Sequence, residues 1–336
     1  MKIVRFVCIA FGVCQLGLLH GQELSMQETL DSVLLVFEEQ SLYADRVNWD
    51  TLKVQLHTAA AGAQTLDDLS PVFNLLLETL EDEHARVMYQ FQPLAWYSTG
   101  LKPQHTDFDF DELTRIQSEE YGFESGMVVD DIGYIRILGM APGDEEAKAR
   151  VIQDSLCSLV ENGAERFIVD LRYNTGGTIF PMAEGLSALF EKGTYATAHD
   201  LLGENTFDWN FDGGDFYMGG YSIGLQNGCG GVERAPVVVL LSNYTVSSGE
   251  ALAIMLKSRP NTHFMGNESG GMITVTNFIQ LPGDISVVLS THYLTDRQNT
   301  AYRKYVSAEE HFDFVAGQPL SEDPAIEGAV EWLSRQ

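Results

Sequence analysis

The stretch Asn243-Tyr244-Thr245-Val246-Ser247-Ser248-Gly249-Glu250 decides how this chain reads. Before it runs Pro236-Val237-Val238-Val239-Leu240-Leu241, an apolar segment with the length and composition of a buried strand in a parallel sheet. After it, Ala251-Leu252-Ala253-Ile254-Met255-Leu256-Lys257 combines good helix formers with apolar residues at helical spacing. Two adjacent serines therefore fall on a sharp strand-to-helix turn. There, free backbone N–H groups and the positive helix end favour developing negative charge. A serine so placed has the surroundings of a nucleophile with its oxyanion donors in position. Taken alone, the commoner reason for such serines is a helix N-cap, with Glu250 in the first turn.

Working outward, Phe167-Ile168-Val169-Asp170-Leu171 predicts another strand, and Phe180 to Phe190 predicts a helix. Between them Arg172-Tyr173-Asn174-Thr175-Gly176-Gly177 forms a turn whose paired glycines can present backbone N–H groups to an oxygen ligand. Residues 143 to 162 predict a helix with Ala147, Val151, Ile152, Leu156 and Leu159 facing inward. Met127-Val128-Val129 and Gly133-Tyr134-Ile135-Arg136-Ile137 predict a hairpin of short strands. The strand–helix–strand order implies an α/β fold with parallel pairing by right-handed crossovers. Upstream, residues 25 to 84 read as helices: Leu30, Val33, Leu34 and Phe37, then Leu52, Val54 and Leu56, then Val72 through Leu80. Ser70 and Pro71 mark the start of the third helix, which should end near His84. Residues 193–232, rich in glycine and carrying Trp209, Phe211, Phe216, Tyr217 and Tyr221, predict a long loop. Such a loop either covers a cleft as a lid or packs on itself at the surface.

The N-terminus, Met1-Lys2-Ile3-Val4-Arg5 followed by an apolar run to Leu19 and then His20-Gly21-Gln22, has the pattern of a cleaved export signal spanning residues 1–21. The apolar run is short, contains Gly and Gln, and has no basic stop-transfer cluster behind it, so no stable membrane anchor is expected. The expected location is secreted or periplasmic. The chain carries 48 acidic and 20 basic residues, a formal charge of −28. Such acidity argues against nucleic acid or an anionic membrane as partner. Cys8 and Cys14 leave with the signal. Cys157 and Cys229 remain, and export permits a disulfide between them without their spacing requiring one. No Cys/His cluster has metal-ligand spacing, and no metal or cofactor is expected.

The pieces in order are Gly133–Ile137, Val169–Gly177, Thr245–Glu250 and Gly266-Asn267-Glu268-Ser269-Gly270-Gly271. Together they resemble the catalytic motifs of the C-terminal processing (tail-specific) and tricorn-type serine peptidases over roughly residues 70 to 330. The resemblance implies a ClpP/crotonase-like α/β core with an N-terminal helical bundle at 22–90, a connecting segment at 91–126 and a catalytic domain at 127–336 with an insertion at 193–232. It implies Ser247 as nucleophile, with the N–H of Ser248 and one from Gly176 or Gly177 as the oxyanion hole. The processing-protease branch activates its serine with a lysine in the turn after the next strand. Here that turn ends in Met272, which cannot take a proton. The tricorn-like branch uses a histidine after an N-terminal helix, in a stretch that Leu80-Glu81-Asp82-Glu83-His84-Ala85-Arg86 resembles, which makes His84 the candidate general base. Asp82 and Glu83, if close to the ring, would favour its imidazolium form. The orienting carboxylate of that branch lies near the C-terminus, and Glu309 and Glu310 are the candidates. The span from 87 to 127 is too short for a PDZ-type recognition module.

The leading expectation is an exported serine peptidase acting on a peptide or protein through an acyl-enzyme. The alternative is a non-catalytic peptide- or apolar-ligand-binding protein on the same fold. A crotonase-type acyl-CoA enzyme is disfavoured by export and by the negative charge.

Overall fold

The structure, a computed structural model, describes residues 24–97, 123–225, 228–315 and 317–336. The expected export signal and most of the connecting segment lie outside the described residues.

Three helices come first: α1 (Met26–Gln40), α2 (Trp49–Ala59) and α3 (Leu66–Leu80). Ser25 and Glu28 form a capping box on α1, Asn48 caps α2, and Thr65 with Asp68 forms a second box on α3. Pro71 therefore sits inside α3 rather than at its start. The ring forgoes one intrahelical hydrogen bond, a tolerable loss because the capping box has already fixed the first turn. The helix stops at Glu81, which adopts a left-handed conformation (φ 54°), and His84 follows in the turn beyond.

One sheet has strands β3 (Phe123–Val129), β4 (Ile132–Ile137), β5 (Arg166–Asp170), β9 (Val237–Leu241), β10 (Thr262–Gly266) and β14 (Glu310–His311). Their spatial order is β14-β10-β9-β5-β4-β3. The β3–β4 hairpin is antiparallel and all other pairs are parallel. Strand β9 is buried along its whole length because its two faces meet different layers. Val237, Val239 and Leu241 enter the main core under α4 (Glu145–Glu161), α5 (Ile179–Gly185) and α6 (Ser248–Lys257). Val238 and Leu240 pack against α7 (Pro324–Leu333). In α4 the inward face is Ala149, Ile152, Leu156 and Leu159. Ala147 and Val151 point to solvent, one helical position away from the expected stripe.

The second sheet runs β2-β1-β12-β6-β7-β8, built from β1 (Arg86–Tyr89), β2 (Gln92–Trp96), β6 (Gly193–His199), β7 (Thr206–Asp212), β8 (Asp215–Met218) and the long β12 (Ile285–Asp296). Strands β11 (Val275–Gln280) and β13 (Ala301–Tyr302) also pair with β12. The stretch expected as a long loop is thus three strands through residue 218. Phe207, Trp209 and Phe211 recur with a period of two, Trp209 and Phe211 are buried, and Gly213-Gly214 turns the hairpin. The remainder is fastened at two points. Cys229 is joined to Cys157 of α4 by a disulfide, and the buried Glu184 carboxylate accepts the N–H groups of Phe216 and Leu225. The helical bundle shares one apolar cluster with Val87, Ala95, Ile285, Val287 and Leu289, so it docks on the end of this second sheet. That contact carries the α3–β1 turn toward the N-terminus of α6.

Candidate active site

Ser247 closes the turn between β9 and α6 with φ 55° and ψ −119°, a conformation that a non-glycine residue adopts only when its surroundings enforce it. The enforcing bonds are local. Thr245 Oγ1 donates to the Leu171 carbonyl at 2.8 Å, Val246 N–H to Asn174 O at 3.0 Å, and Gly249 N–H to Val246 O at 3.0 Å. The Ser247 N–H donates to Glu250 Oε2 at 2.9 Å. Glu250 is fully buried and also accepts Ser269 Oγ–H at 2.5 Å and Gly271 N–H at 2.9 Å. Burial pushes its carboxyl up to about 7 in spite of these donors. Glu250 thereby joins the nucleophile turn to the segment that leads into β11.

The hydroxyl of Ser247 lies 2.9 Å from Nε2 of His84. The other ring nitrogen, Nδ1, lies 2.9 Å from Thr274 Oγ1, which lies 2.9 Å from Ser290 Oγ on β12. Ser290 Oγ–H in turn donates to Asp82 Oδ1 at 2.7 Å. The hydrogens of this chain can be ordered from its far end. Asp82 Oδ1 already accepts the N–H groups of His84 and Ala85, both at 3.1 Å, so it acts as an acceptor toward Ser290. With its proton on Asp82, Ser290 must accept from Thr274. Thr274 must then accept from Nδ1–H, and Nε2 is left with its lone pair facing Ser247. A carboxylate thus fixes the histidine tautomer through two intervening hydroxyls.

His84 is buried, and burial together with the positive charge of Arg86 lowers its pKa to about 3. It is a neutral imidazole at neutral pH. The imidazolium form that close acidic neighbours would have favoured is not produced. Asp82 is turned away into backbone and Ser290 hydrogen bonds, and burial raises its own pKa.

Opposite His84, the loop after β5 lies against Ser247. A Cβ on Gly176, whose φ is +87°, would stand 2.6 Å from Ser247 Cβ, so only glycine fits. Gly177 (φ +106°) is equally confined, by the Met140 carbonyl at 1.9 Å from a notional Cβ. The Gly176 N–H is committed to Asn174 Oδ1 at 3.0 Å, which leaves the Gly177 N–H as the candidate donor from this loop beside that of Ser248. Ser248 Oγ bonds the Gly177 carbonyl at 2.5 Å and holds the two segments together. Behind them Arg172 forms a bidentate pair with Asp170, through Nε at 3.0 Å and Nη2 at 2.7 Å. It reaches Asp323, the N-cap of α7, at 2.6 Å, and all three are buried.

Glu309 and Glu310 sit elsewhere. Glu309 Oε1 pairs with Lys257 at 2.7 Å and its Oε2 accepts Phe264 N–H at 2.5 Å, while Glu310 lies 3.7 Å from His263. The ring nitrogen they were expected to orient bonds to Thr274 instead. Thr274 and Ser290 carry no sequence motif; the sole hint is that both are polar residues in segments otherwise destined for the core. Met272 is buried, and its backbone N–H adds to the donors on Glu250.

With this geometry in view, likeness to known proteins is informative. The pattern of the family described as Peptidase family S41 matches residues 131–309, just over half of the chain. The nisin-resistance protein of Lactococcus lactis subsp. lactis is 30% identical over 179 residues, 53% of each chain. A carboxyl-terminal-processing protease of Picosynechococcus is 26% identical over 153 residues, 46% of this chain and 32% of that protein. The chain therefore spans about half or less of the length of these relatives. Among solved structures, a lipoprotein from Streptococcus agalactiae superposes with a TM-score of 0.69 at 17% identity, covering 94% of this chain and 98% of that one. The photosystem II D1 C-terminal processing protease gives 0.53 at 13% identity, covering 85% and 93%. At these identities the structures speak for the fold: an α/β protease core with helices before it, as the motifs implied. The match over residues 131–309 carries the assignment further, and the chain belongs to peptidase family S41.

Proposed function

We propose that this protein is an exported serine peptidase that hydrolyses peptide bonds through an acyl-enzyme on Ser247, with His84 as general base. The observation that carries the reading is the 2.9 Å contact between Ser247 Oγ and a histidine nitrogen left unprotonated by the ordered hydroxyl chain behind it. In the first half-reaction Ser247 Oγ attacks the substrate carbonyl as its proton passes to Nε2. The N–H groups of Ser248 and Gly177 stabilise the oxyanion, and the imidazolium returns its proton to the leaving amine. Water repeats the sequence in the second half to release the acid. Nδ1–H remains on Thr274 throughout, so the hydroxyl chain keeps the ring oriented through both half-reactions.

No lysine is needed for this scheme, in keeping with Met272 at the position where the processing-protease branch has one. The Cys157–Cys229 disulfide supports an oxidising location outside the cytoplasm. Among the described residues no helix is long and apolar enough to cross a membrane.

The test is labelling by a fluorophosphonate, followed by intact mass. Wild type should gain one adduct, and Ser247→Ala and His84→Ala should gain none. Labelling that survives in His84→Ala would refute the assigned base. A folded wild type that is never labelled would refute the peptidase reading in favour of a ligand-binding protein.

A further inference from the structure

Two residues beyond the catalytic histidine, Arg86 occupies a place that the proposed chemistry does not account for. Its Nη1 donates to the His84 carbonyl at 3.0 Å, and its guanidinium carbon stands 4.9 Å from the ring centre of Trp96, its cross-strand partner on β2. Trp96 is held by its own Nε1–H, which donates to the Glu83 carbonyl at 3.2 Å, and it remains 45% exposed. The guanidinium is therefore clamped between the backbone of the base and an indole open to solvent. It is half-buried. Seven other arginines each hold a carboxylate within ion-pair distance; among the described residues Arg86, like Arg259, Arg297 and Arg303, has none, and of these four it is the one bonded to the backbone of His84. In a chain with 48 acidic and 20 basic residues that is a costly arrangement, because a partly desolvated cation gains most from an anionic partner. Among the described residues one of the five guanidinium N–H donors is used, by the His84 carbonyl.

We propose that Arg86 binds a carboxylate of the peptide substrate next to the scissile bond, so that the enzyme selects substrates with a negative charge at that place. The inference rests on the peptidase reading of Ser247 and His84. Two sources carry the same chemistry: an Asp or Glu side chain, or the free C-terminus of the peptide. The planar fork suits either, and the indole face beside it covers the apolar part of the residue that bears the charge. There is also a catalytic consequence. The positive charge of Arg86 opposes protonation of His84. A carboxylate docked on the guanidinium cancels that opposition, so the correct substrate strengthens the base at the moment it is needed.

The experiment uses the mature protein and four versions of one cleavable peptide. They combine a free or amidated C-terminus with Glu or Gln in the residues flanking the cleaved bond. For wild type, kcat/KM should fall about ten- to hundred-fold when the recognised carboxylate is neutralised, the range expected for a charged hydrogen-bonded pair. The swap that produces the fall identifies the source. In Arg86→Gln the ratio between charged and neutral versions should collapse toward one, and Arg86→Lys, which keeps the charge and loses the fork, should fall between. If wild type takes the fluorophosphonate and cleaves the peptides but does not discriminate among the four, the Arg86 proposal is overturned and the peptidase reading stands. A wild type that neither labels nor cleaves overturns the reading beneath it. Discrimination that persists in a folded Arg86→Gln assigns the selection to another residue and also overturns the proposal.

Discussion

Replacing Thr274 by valine is the sharpest perturbation of the hydroxyl chain, because it exchanges Oγ1 for a methyl of nearly the same volume. The substitution leaves the packing around β11 intact and removes two hydrogen bonds of 2.9 Å each, one to His84 Nδ1 and one to Ser290. Nδ1–H then has no acceptor in a buried position, which costs about 1–3 kcal/mol. The ring can escape part of that cost by moving its proton to Nε2, and in that tautomer it cannot accept from Ser247. The loss of the productive form therefore translates into a fall in kcat of roughly 5- to 150-fold. KM should change little, because Thr274 touches the base and not the peptide. The assay is steady-state cleavage of a fluorogenic peptide, with the fluorophosphonate labelling rate as a substrate-independent check. Thr274→Ser, which keeps the hydroxyl, should restore most of the activity. Activity of Thr274→Val within two-fold of wild type would refute the argument that the hydroxyl chain sets the tautomer.

Three further outcomes are expected. The pH profile of kcat/KM should lose activity on the acid side near pH 7, set by Glu250 rather than by His84. The Glu250 anion accepts the Ser247, Ser269 and Gly271 donors and is lost below about 7, whereas His84 stays neutral down to about 3. An acid limb unmoved in Glu250→Gln would contradict this. The stability sign is opposite for the two groups: the raised Glu250 contributes stability below its ordinary value of 4.5 that is lost as pH rises through about 7. The depressed His84 contributes stability above 6.5 that is lost as pH falls toward 3. Asp323→Ala should destabilise by about 3–5 kcal/mol in urea unfolding, since it removes one of the two carboxylates around buried Arg172, and a loss under 1 kcal/mol would count against that clamp. Reducing the Cys157–Cys229 bridge, which closes a separation of 72 residues, should lower stability by up to about 4 kcal/mol; an unchanged melting temperature with reductant would show that the bridge constrains little.

The parts of this site that are legible in the sequence are those in which backbone geometry imposes a residue type. Gly176 and Gly177 have no room for a Cβ, and Ser247 stands between an all-apolar strand and a helix whose start it marks. His84 is legible only through the resemblance of Leu80–Arg86 to the tricorn-like motif, since its place past an amphipathic helix would otherwise mark an exposed helix-end residue. What orients His84 is not legible. Thr274 and Ser290 are single hydroxyls 16 residues apart, the first just before β11 and the second on β12, and only the pairing of β11 with β12 brings their surroundings together. Glu309 and Glu310 look suitable by region, but Lys257 and the Phe264 N–H engage the first and His263 neighbours the second. The strands at 193–218 are obscured because frequent glycines outweigh a period-two aromatic pattern that is plain once Trp209 and Phe211 are seen buried. Pro71 misplaces the start of α3 because the Thr65–Asp68 capping box, set in a polar stretch, is a quieter signal than a proline.

Asp82 and His84 belong to the turn that ends the helical bundle, whereas Ser247, Thr274 and Ser290 belong to the body of the peptidase. Three side-chain hydrogen bonds cross the seam between them, together with Leu42 N–H donating to the Ser290 carbonyl at 2.8 Å. These bonds ride on an apolar contact that includes Leu76, Leu77, Leu80, Val287 and Leu289. Under the proposed chemistry, catalytic competence is thus a property of assembly: the proposed base and the proposed nucleophile come from different halves. On that proposal, turnover gauges how squarely the bundle is seated, and a slip at that apolar seam is expected to silence the enzyme while both halves keep their folds.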